Sequence, residues 1–292
     1  MDSSFFIMAG QKSDRDYNAV RDEPALMLAR NYVEEMWKKY ELHAEPSFQK
    51  KATEDFHAKI WEMYLGCVLI DNGMNLQVKQ KVKGPDLCVR LDDRHLWIEA
   101  IAPKSGTGDN AVPEVNTESD EAMDVPEKQI LLRLTGAIEE KYKKYQKYIT
   151  GESPIIKPKD YYVIAINGGR INFGFLLKGG IPFIVSCAFG LGNEVLTIKG
   201  NNVSGSYEYR EKINTCAGNP VNTNIFRSKQ YSGISAVLYS CMNVANHPNQ
   251  AGSEIDLVHN PFALPDNSLP LDIFPFGTEW WVENNELMRK KS

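Results

Sequence analysis

Apolar side chains recur every three or four residues in three stretches of the chain, which is the period of a helix with one buried face. These stretches are residues 24–42, 46–70 and 130–149. Pro24 suits the first turn of a helix, and Asp71-Asn72-Gly73 is a turn signal at the end of the second stretch. The pattern therefore predicts three helices over these ranges.

Strands are predicted over residues 76–82, 86–91 and 95–102. The first of them alternates apolar and polar positions, as a half-buried strand does. The polar turn Asp92-Asp93-Arg94 suits a hairpin that joins the other two. Residues 161–167 are continuously apolar, which predicts a strand that is buried on both faces.

Beyond about residue 180, short apolar runs alternate with Gly, Asn and Pro, and we predict strands there. The runs are residues 181–190, 194–200, 234–240 and 254–263. The order of elements predicts an α/β fold with a mixed central sheet flanked by helices, N-terminal helices and a β-rich C-terminal extension. We divide the chain into an N-terminal helical segment (1–45), a core (46–180) and a β-rich C-terminal portion packed on that core (181–292).

An acidic insertion interrupts the core at residues 105–127. From Thr107 to Glu127 it carries seven acids and no base, and it has little apolar content, so we predict a mobile surface segment. The net charge of the 292-residue chain is −5, which by itself disfavours a nucleic-acid partner. Because the insertion accounts for more than this whole charge, the rest of the chain is mildly basic and the objection disappears.

The five cysteines form no CxxC pair, which disfavours a disulfide framework or a structural zinc site. The first residues do not have the pattern of a secretory signal. No window approaches eighteen apolar residues, so we expect no membrane partner. A reducing cytoplasm is the expected location.

Two carboxylates on the predicted hairpin carry the candidate chemistry. Asp86 begins one strand and Glu99 lies near the end of the next, and alternation places Glu99 on one face with Trp97 and Ile101. The hairpin brings both carboxylates to the same edge of the sheet. Convergent carboxylates suit Mg²⁺ or Mn²⁺, which prefer oxygen ligands and keep waters for a phosphate substrate. Glu99 also lies in an apolar strand, where an unpaired carboxylate is costly.

This arrangement resembles the core of the PD-(D/E)XK nuclease superfamily, whose fold is restriction-endonuclease-like. Pro85-Asp86 matches the PD of the motif, and Glu99-Ala100-Ile101 matches its second half. Glu62, on the preceding helix, matches an acidic residue that many members have there. The resemblance covers residues 50–170. C-terminal segments also look like parts of a family of uncharacterised bacterial proteins with the same domain order.

The resemblance implies an Mg²⁺-dependent endonuclease that hydrolyses phosphodiester bonds of DNA. Asp86 and Glu99 would ligate one or two metal ions, with Glu62 and the backbone carbonyl of Ala100 as further ligands. DNA is the expected partner, RNA is the open alternative, and a homodimer is the assembly to test.

The chain departs from the family at Ile101, which occupies the lysine position. Isoleucine cannot orient a water or stabilise negative charge. Lys141 is our first candidate for a lysine supplied from a neighbouring element, since it lies on the basic helix two turns beyond Arg133. Lys104 is the second candidate.

A basic surface is predicted beside these carboxylates and is assigned to nucleic-acid binding. Its members are Lys79, Lys81, Lys83, Arg133, Lys144 and Lys147. Tyrosines between the lysines of the helix would contact phosphates or bases. The alternative is a solvated face whose tyrosines are turned towards the core.

Two other functions stay open. Ile101 is compatible with an inactive nuclease fold that binds nucleic acid or a protein partner without cleavage. The chain is also compatible with an unrelated α/β protein in which Asp86 and Glu99 are structural.

Overall fold

The computed structural model describes residues 4–8, 10, 12–79, 83–115, 123–200 and 202–292. Its α-helices are α1 (Arg15–Asp22), α2 (Met27–Tyr40), α3 (Phe48–Glu54), α4 (Phe56–Asp71), α5 (Glu127–Tyr148) and α6 (Phe183–Phe189). The strands of its first part are β1 (Leu87–Leu91), β2 (Arg94–Ile101), β3 (Tyr161–Asn167), β4 (Leu177–Lys178) and β5 (Ile181–Pro182). The others are β6 (Leu191–Lys199), β7 (Asn202–Tyr209), β8 (Lys212–Asn214), β9 (Pro220–Asn222), β10 (Ala236–Ser240), β11 (Asp256–His259), β12 (Thr278–Glu283) and β13 (Glu286–Lys291).

Seven strands form one mixed sheet in the order β1-β2-β3-β10-β11-β12-β13. The strands β2, β3 and β10 are parallel, while β1 pairs with β2 in the antiparallel direction. The sheet continues through β11, β12 and β13, so strands from both the 46–180 and the 181–292 ranges belong to it. The predicted α/β class, with a mixed central sheet flanked by helices, is confirmed.

Two hydrophobic cores lie on opposite faces of this sheet. Helices α1–α4 pack on one face, where Val163 and Ala165 of β3 point, and α5 and α6 cover the other, where Ile164 and Ile166 point. All seven residues of β3 are buried, as its continuous apolar sequence predicts. Within the described ranges, every helix is too short or too polar to cross a bilayer.

The prediction of a single helix over 46–70 is wrong in one respect, because two helices occupy this range. The break falls at Asp55, whose backbone is extended (φ −145°) and whose carboxylate accepts a bond from the Ala58 amide. Aspartate favours this capping position, and its local bond competes with a continuous helix. The helices predicted over 24–42 and 130–149 are confirmed.

Two predicted strands differ in the structure. Residues 76–79 make only an isolated bridge, Leu76 to Val89, and residues 80–82 lie outside the described part. The apolar run 181–190 is mostly the buried helix α6, which Gly190 ends in a left-handed conformation (φ 69°). A continuous apolar run does not distinguish a buried helix from a buried strand. The other predicted strands are confirmed within a few residues at their ends.

Part of the acidic insertion packs against the body of the protein. Val112 is buried, and its amide donates to the Ser105 carbonyl. The Asn172 side chain donates to the carbonyl of Pro113, and the Cys216 amide donates to the Asn110 side chain. Hydrogen bonds therefore attach the segment 105–115 to the body of the protein. Residues 116–122 lie outside the described ranges.

Candidate functional site

The β1–β2 hairpin brings Asp86 and Glu99 together. Leu87 pairs with Ile98 in antiparallel register, so Asp86, one residue earlier, lies opposite Glu99, one residue later. The Asp86 side chain adds a second link, because its Oδ2 accepts the Ala100 amide at 2.8 Å. The two carboxylates therefore share the open end of the hairpin.

Glu99 is 1% exposed, and α5 provides its three partners. Lys141 Nζ lies 3.1 Å and Lys144 Nζ 2.8 Å from Glu99 Oε1, while the Tyr148 hydroxyl donates to Oε2 at 3.2 Å. The three partners follow one another at helical spacing on the same side of α5. Two cations and a hydroxyl thus offset the loss of hydration of one buried carboxylate.

Lys141, the first candidate for a lysine supplied from a neighbouring element, has its ammonium in contact with Glu99. It is 6% exposed, so this cation is itself buried. Lys104, the second candidate, lines a cleft of about 620 Å³ together with Ile101, Arg133 and Lys141. No contact joins Lys104 to Glu99 among the hydrogen bonds and ion pairs of the described residues, so Lys141 is the better candidate.

Glu62 of α4 approaches the same end of the sheet from the opposite helical layer. It is 2% exposed; the Tyr40 hydroxyl donates to its Oε1 at 3.1 Å, and Lys59 Nζ lies 2.5 Å from its Oε2. Burial and, after it, the negative charge of Asp86 raise the pKa of Glu62 to about 7. Because burial is the larger cause, the shift mainly reflects the lost hydration of this carboxylate.

The negative charge of Asp86 affects lysines in both helical layers. Lys79 is 3.6 Å from its Oδ1. Burial lowers the pKa of Lys59, but Glu62 and Asp86 raise it by more, and the net shift is upwards. Burial also lowers the pKa of Lys144, but the negative charges of Glu99 and, more weakly, Asp86 raise it, and the net shift is upwards. One network of carboxylates and lysines thus connects α4, the hairpin and α5.

The predicted nucleic-acid contacts fall in different places. Lys79 and Lys83 line a second cleft, of about 720 Å³, that also contains Asp86. Lys144 is bound to Glu99, and Lys147 is exposed on α5. Arg133 donates to the Asn110 carbonyl at the wall of the first cleft. Lys81 lies outside the described residues.

The tyrosines of α5 contact other parts of the protein. Tyr145 is buried in the core, and the Tyr142 hydroxyl donates to the carbonyl of Gln230, as the alternative of inward-facing tyrosines expects. Tyr148 instead contacts Glu99 in the site.

Sequence reasoning missed Lys59, Tyr40 and Tyr148 as members of the network. Lys59 is three residues before Glu62 on one helix, a spacing at which opposite charges meet, so a signal for it was present. Tyr148 lies one further turn along the face that carries Lys141 and Lys144. Tyr40 reaches Glu62 from a different helix, and nothing in its local sequence indicates that contact.

Within the described ranges, no three His, Cys, Asp or Glu side chains are grouped as a metal ion would need. Mg²⁺ is commonly held by one or two carboxylates, with waters and substrate phosphates as the remaining ligands. In that mode, Asp86 and Glu99 would be the two carboxylates. The roles of Glu62 and of the Ala100 carbonyl as ligands stay predictions.

No protein-family model matches the chain, and neither a curated protein nor a solved structure matches it.

Proposed function

We propose that the chain is a nuclease that uses Mg²⁺ or Mn²⁺ to hydrolyse phosphodiester bonds of DNA, with a restriction-endonuclease-like PD-(D/E)XK core. One observation carries the proposal. Asp86 and Glu99 face each other at the end of a hairpin, with the buried ammonium of Lys141 in contact with Glu99. Two acids and one lysine are the chemistry that the motif requires, even though the lysine comes from another element.

Asp86 and Glu99 would hold the metal ion, and Glu62 and the Ala100 carbonyl are candidates for further ligands. When bound, such an ion supplies an activated water and stabilises negative charge on phosphate oxygens.

Lys141 would take the role of the lysine that Ile101 replaces. Its ammonium is fixed by Glu99 and by burial, so it can donate to a phosphate oxygen or orient a water without reorganisation. Lys144 and Tyr148 would act as positioning residues, because they fix the orientation of the Glu99 carboxylate.

DNA would approach across the basic groups that flank this centre. Lys79 and Lys83 lie in one adjoining cleft and Arg133 in the other, and Lys147 is exposed on α5. Phosphate contacts from such groups give affinity that falls steeply with salt. The free cysteines suit a reducing compartment such as the cytoplasm, and a homodimer is the assembly to test.

The proposal is tested by incubating plasmid and single-stranded DNA with the full chain in Mg²⁺, Mn²⁺ or EDTA. We expect cleavage with either metal and none in EDTA. Lys141→Met should reduce the rate by about 100-fold or more, the cost typical of removing a preorganised donor. Lys143→Met, an exposed lysine of the same helix, is the matched control and should retain the parent rate. Equal rates for both variants would contradict the role of Lys141.

An inactive nuclease fold is the second candidate, and a specific observation favours it. Both oxygens of Glu99 already have protein partners, and Ile101 leaves the usual position without a lysine. An inactive binder would shift DNA in a gel with the same salt dependence and cleave neither substrate with any metal. The cleavage assay therefore separates the two candidates.

A further inference from the structure

One face of the β1–β2 hairpin carries a continuous strip of side chains that begins at the two carboxylates. The register places Cys88 opposite Trp97 and Arg90 opposite His95. Side chains alternate along a strand, so these pairs share the face of Asp86 and Glu99. Carboxylates, an indole and an imidazole thus follow one another along the same surface.

This strip opens into the cleft of about 720 Å³ beside the candidate site. Trp97 and His95 form an aromatic wall of the cleft, and Lys79, Lys83 and Asp86 also line it. The cleft therefore combines aromatic faces with positive charge, directly adjacent to one of the proposed metal ligands.

The indole of Trp97 is held in a fixed orientation. Its Nε1 donates to Asp160 Oδ2 at 3.0 Å, and the other oxygen of this buried aspartate accepts the His95 amide at 3.0 Å. The His95 and Trp97 rings lie 5.6 Å apart at 35°. Trp97 is only partly buried and lines the cleft, and among the residues that the structure describes no aromatic ring is stacked on it.

We infer that this cleft binds an unpaired nucleobase, stacked on Trp97 and flanked by His95, and that the substrate of the site is a single strand. The inference rests on the proposed function and specifies its substrate. A base inside a duplex has both faces covered by its neighbours, whereas an unpaired base has a face available for an aromatic side chain. Lys79 and Lys83 supply the positive charge that the adjoining phosphates need.

The spacing along the strand agrees with this assignment. Trp97 lies two residues from Glu99, so the ring is roughly 7 Å from the carboxylate along β2. That distance is about the size of one nucleotide unit, so a base on Trp97 would place an adjacent phosphate near Asp86 and Glu99. Carboxylates that face a phosphate need an intervening cation, which is the role proposed for the metal.

The inference is tested by the equilibrium binding of a labelled 12-nucleotide strand and of the matching duplex, in an Asp86→Asn background that prevents cleavage. Trp97→Leu should weaken binding of the single strand about tenfold, the loss of one stacked base. Duplex affinity should change by less than about twofold. Trp97→Phe retains a stacking face and should stay within about threefold of the parent.

Trp281→Leu is the matched control, because Trp281 is also half-buried but lies on β12, near the other edge of the sheet. It should leave both affinities unchanged. If Trp97→Leu does not fold, His95→Ala replaces it, because the His95 ring is more exposed and borders the same cleft. That variant should weaken single-strand binding about threefold. A DNA strand and an RNA strand are tested in parallel, and a Trp97-dependent loss on either supports the inference.

An unchanged single-strand affinity, or an equal loss on strand and duplex, would overturn the inference. Cleavage by the parent chain and by Trp97→Leu, both with Asp86 intact, is measured with the same oligonucleotides in Mg²⁺. Cleavage without any dependence on Trp97 would contradict the stacking site and leave the proposed nuclease intact. Trp97-dependent binding without cleavage would contradict the nuclease and leave the stacking site intact.

Discussion

A carboxylate that is almost fully buried needs partners that offset its lost hydration, and Glu99 has three of them on α5. Lys141 is the most buried of these partners, and its removal leaves Glu99 with only Lys144 and Tyr148. The residues of the site therefore also stabilise the fold.

Lys141→Met should lower the free energy of unfolding by about 2 kcal/mol, less than a buried ion pair usually costs because two partners of Glu99 remain. Urea denaturation measures this change in the free energy of unfolding. Glu99→Gln combined with Lys141→Met should cost less than the sum of the single changes, since each single change leaves a buried charge with fewer partners. Strict additivity of the two would contradict their direct coupling.

Glu62 makes stability depend on pH in a defined direction. Its pKa in the folded chain is about 7 against an ordinary value of 4.5, so the folded state binds its proton more tightly than the unfolded state. The stabilisation from this proton is complete below about pH 4.5 and is lost as the pH rises to about 7. Glu62→Gln removes this loss.

The melting temperature of Glu62→Gln should therefore rise relative to the parent between pH 5 and pH 8. Thermal denaturation at several pH values measures the difference. Glu283→Gln changes an exposed glutamate at the end of β12 and should show no such trend. A difference between Glu62→Gln and the parent that is constant with pH would show that Glu62 ionises normally.

At the scale of elements, the site depends on how closely helices pack. A Cβ added to Gly66 of α4 would lie 2.3 Å from the ring of Tyr40, so α2 and α4 approach each other through a glycine. Tyr40 in turn donates to Glu62. The glycine thus lets α2 reach the buried acid of α4.

Gly66→Ala should destabilise the chain by about 2 kcal/mol, because the added methyl displaces a fully buried ring. Gly136 of α5 is the matched control, since nothing lies within 4 Å of the Cβ that alanine would add. Gly136→Ala should stabilise the helix by about 0.5–1 kcal/mol. Chemical denaturation of both variants measures the contrast, and equal effects would contradict the close approach.

The helices and strands show how much of the fold the sequence alone can predict. Helical spacing predicts α2 and α5, because each buries one definite face, and a continuous apolar run predicts β3, because it is buried on both faces. The run 181–190 was assigned to a strand, since its apolar residues give no period that separates a helix from a strand. The break at Asp55 is a local capping effect that the spacing of apolar residues does not record.

At the scale of the whole molecule, the site lies at one end of an edge hairpin, where the two helical layers meet. Lys141 and Glu99 were identified from the sequence because a motif and a helical spacing indicated them. The sequence does not predict the roles of Tyr40 and Asp160, because these depend on contacts with α4 and β2 that form only in the folded chain. Local patterns indicate which residues carry chemistry, and the tertiary structure determines which of them meet.

We propose that Asp86 and Glu99 form a metal-dependent phosphodiesterase site. The most direct test is the rate of DNA cleavage in Mg²⁺ by the Asp86→Asn variant. Asp256→Asn is the matched control, because Asp256 is also half-buried but accepts a hydrogen bond from Trp280 on the far side of the sheet. We predict that Asp86→Asn loses cleavage by at least about 100-fold while Asp256→Asn retains it. Full cleavage by Asp86→Asn would contradict the claim.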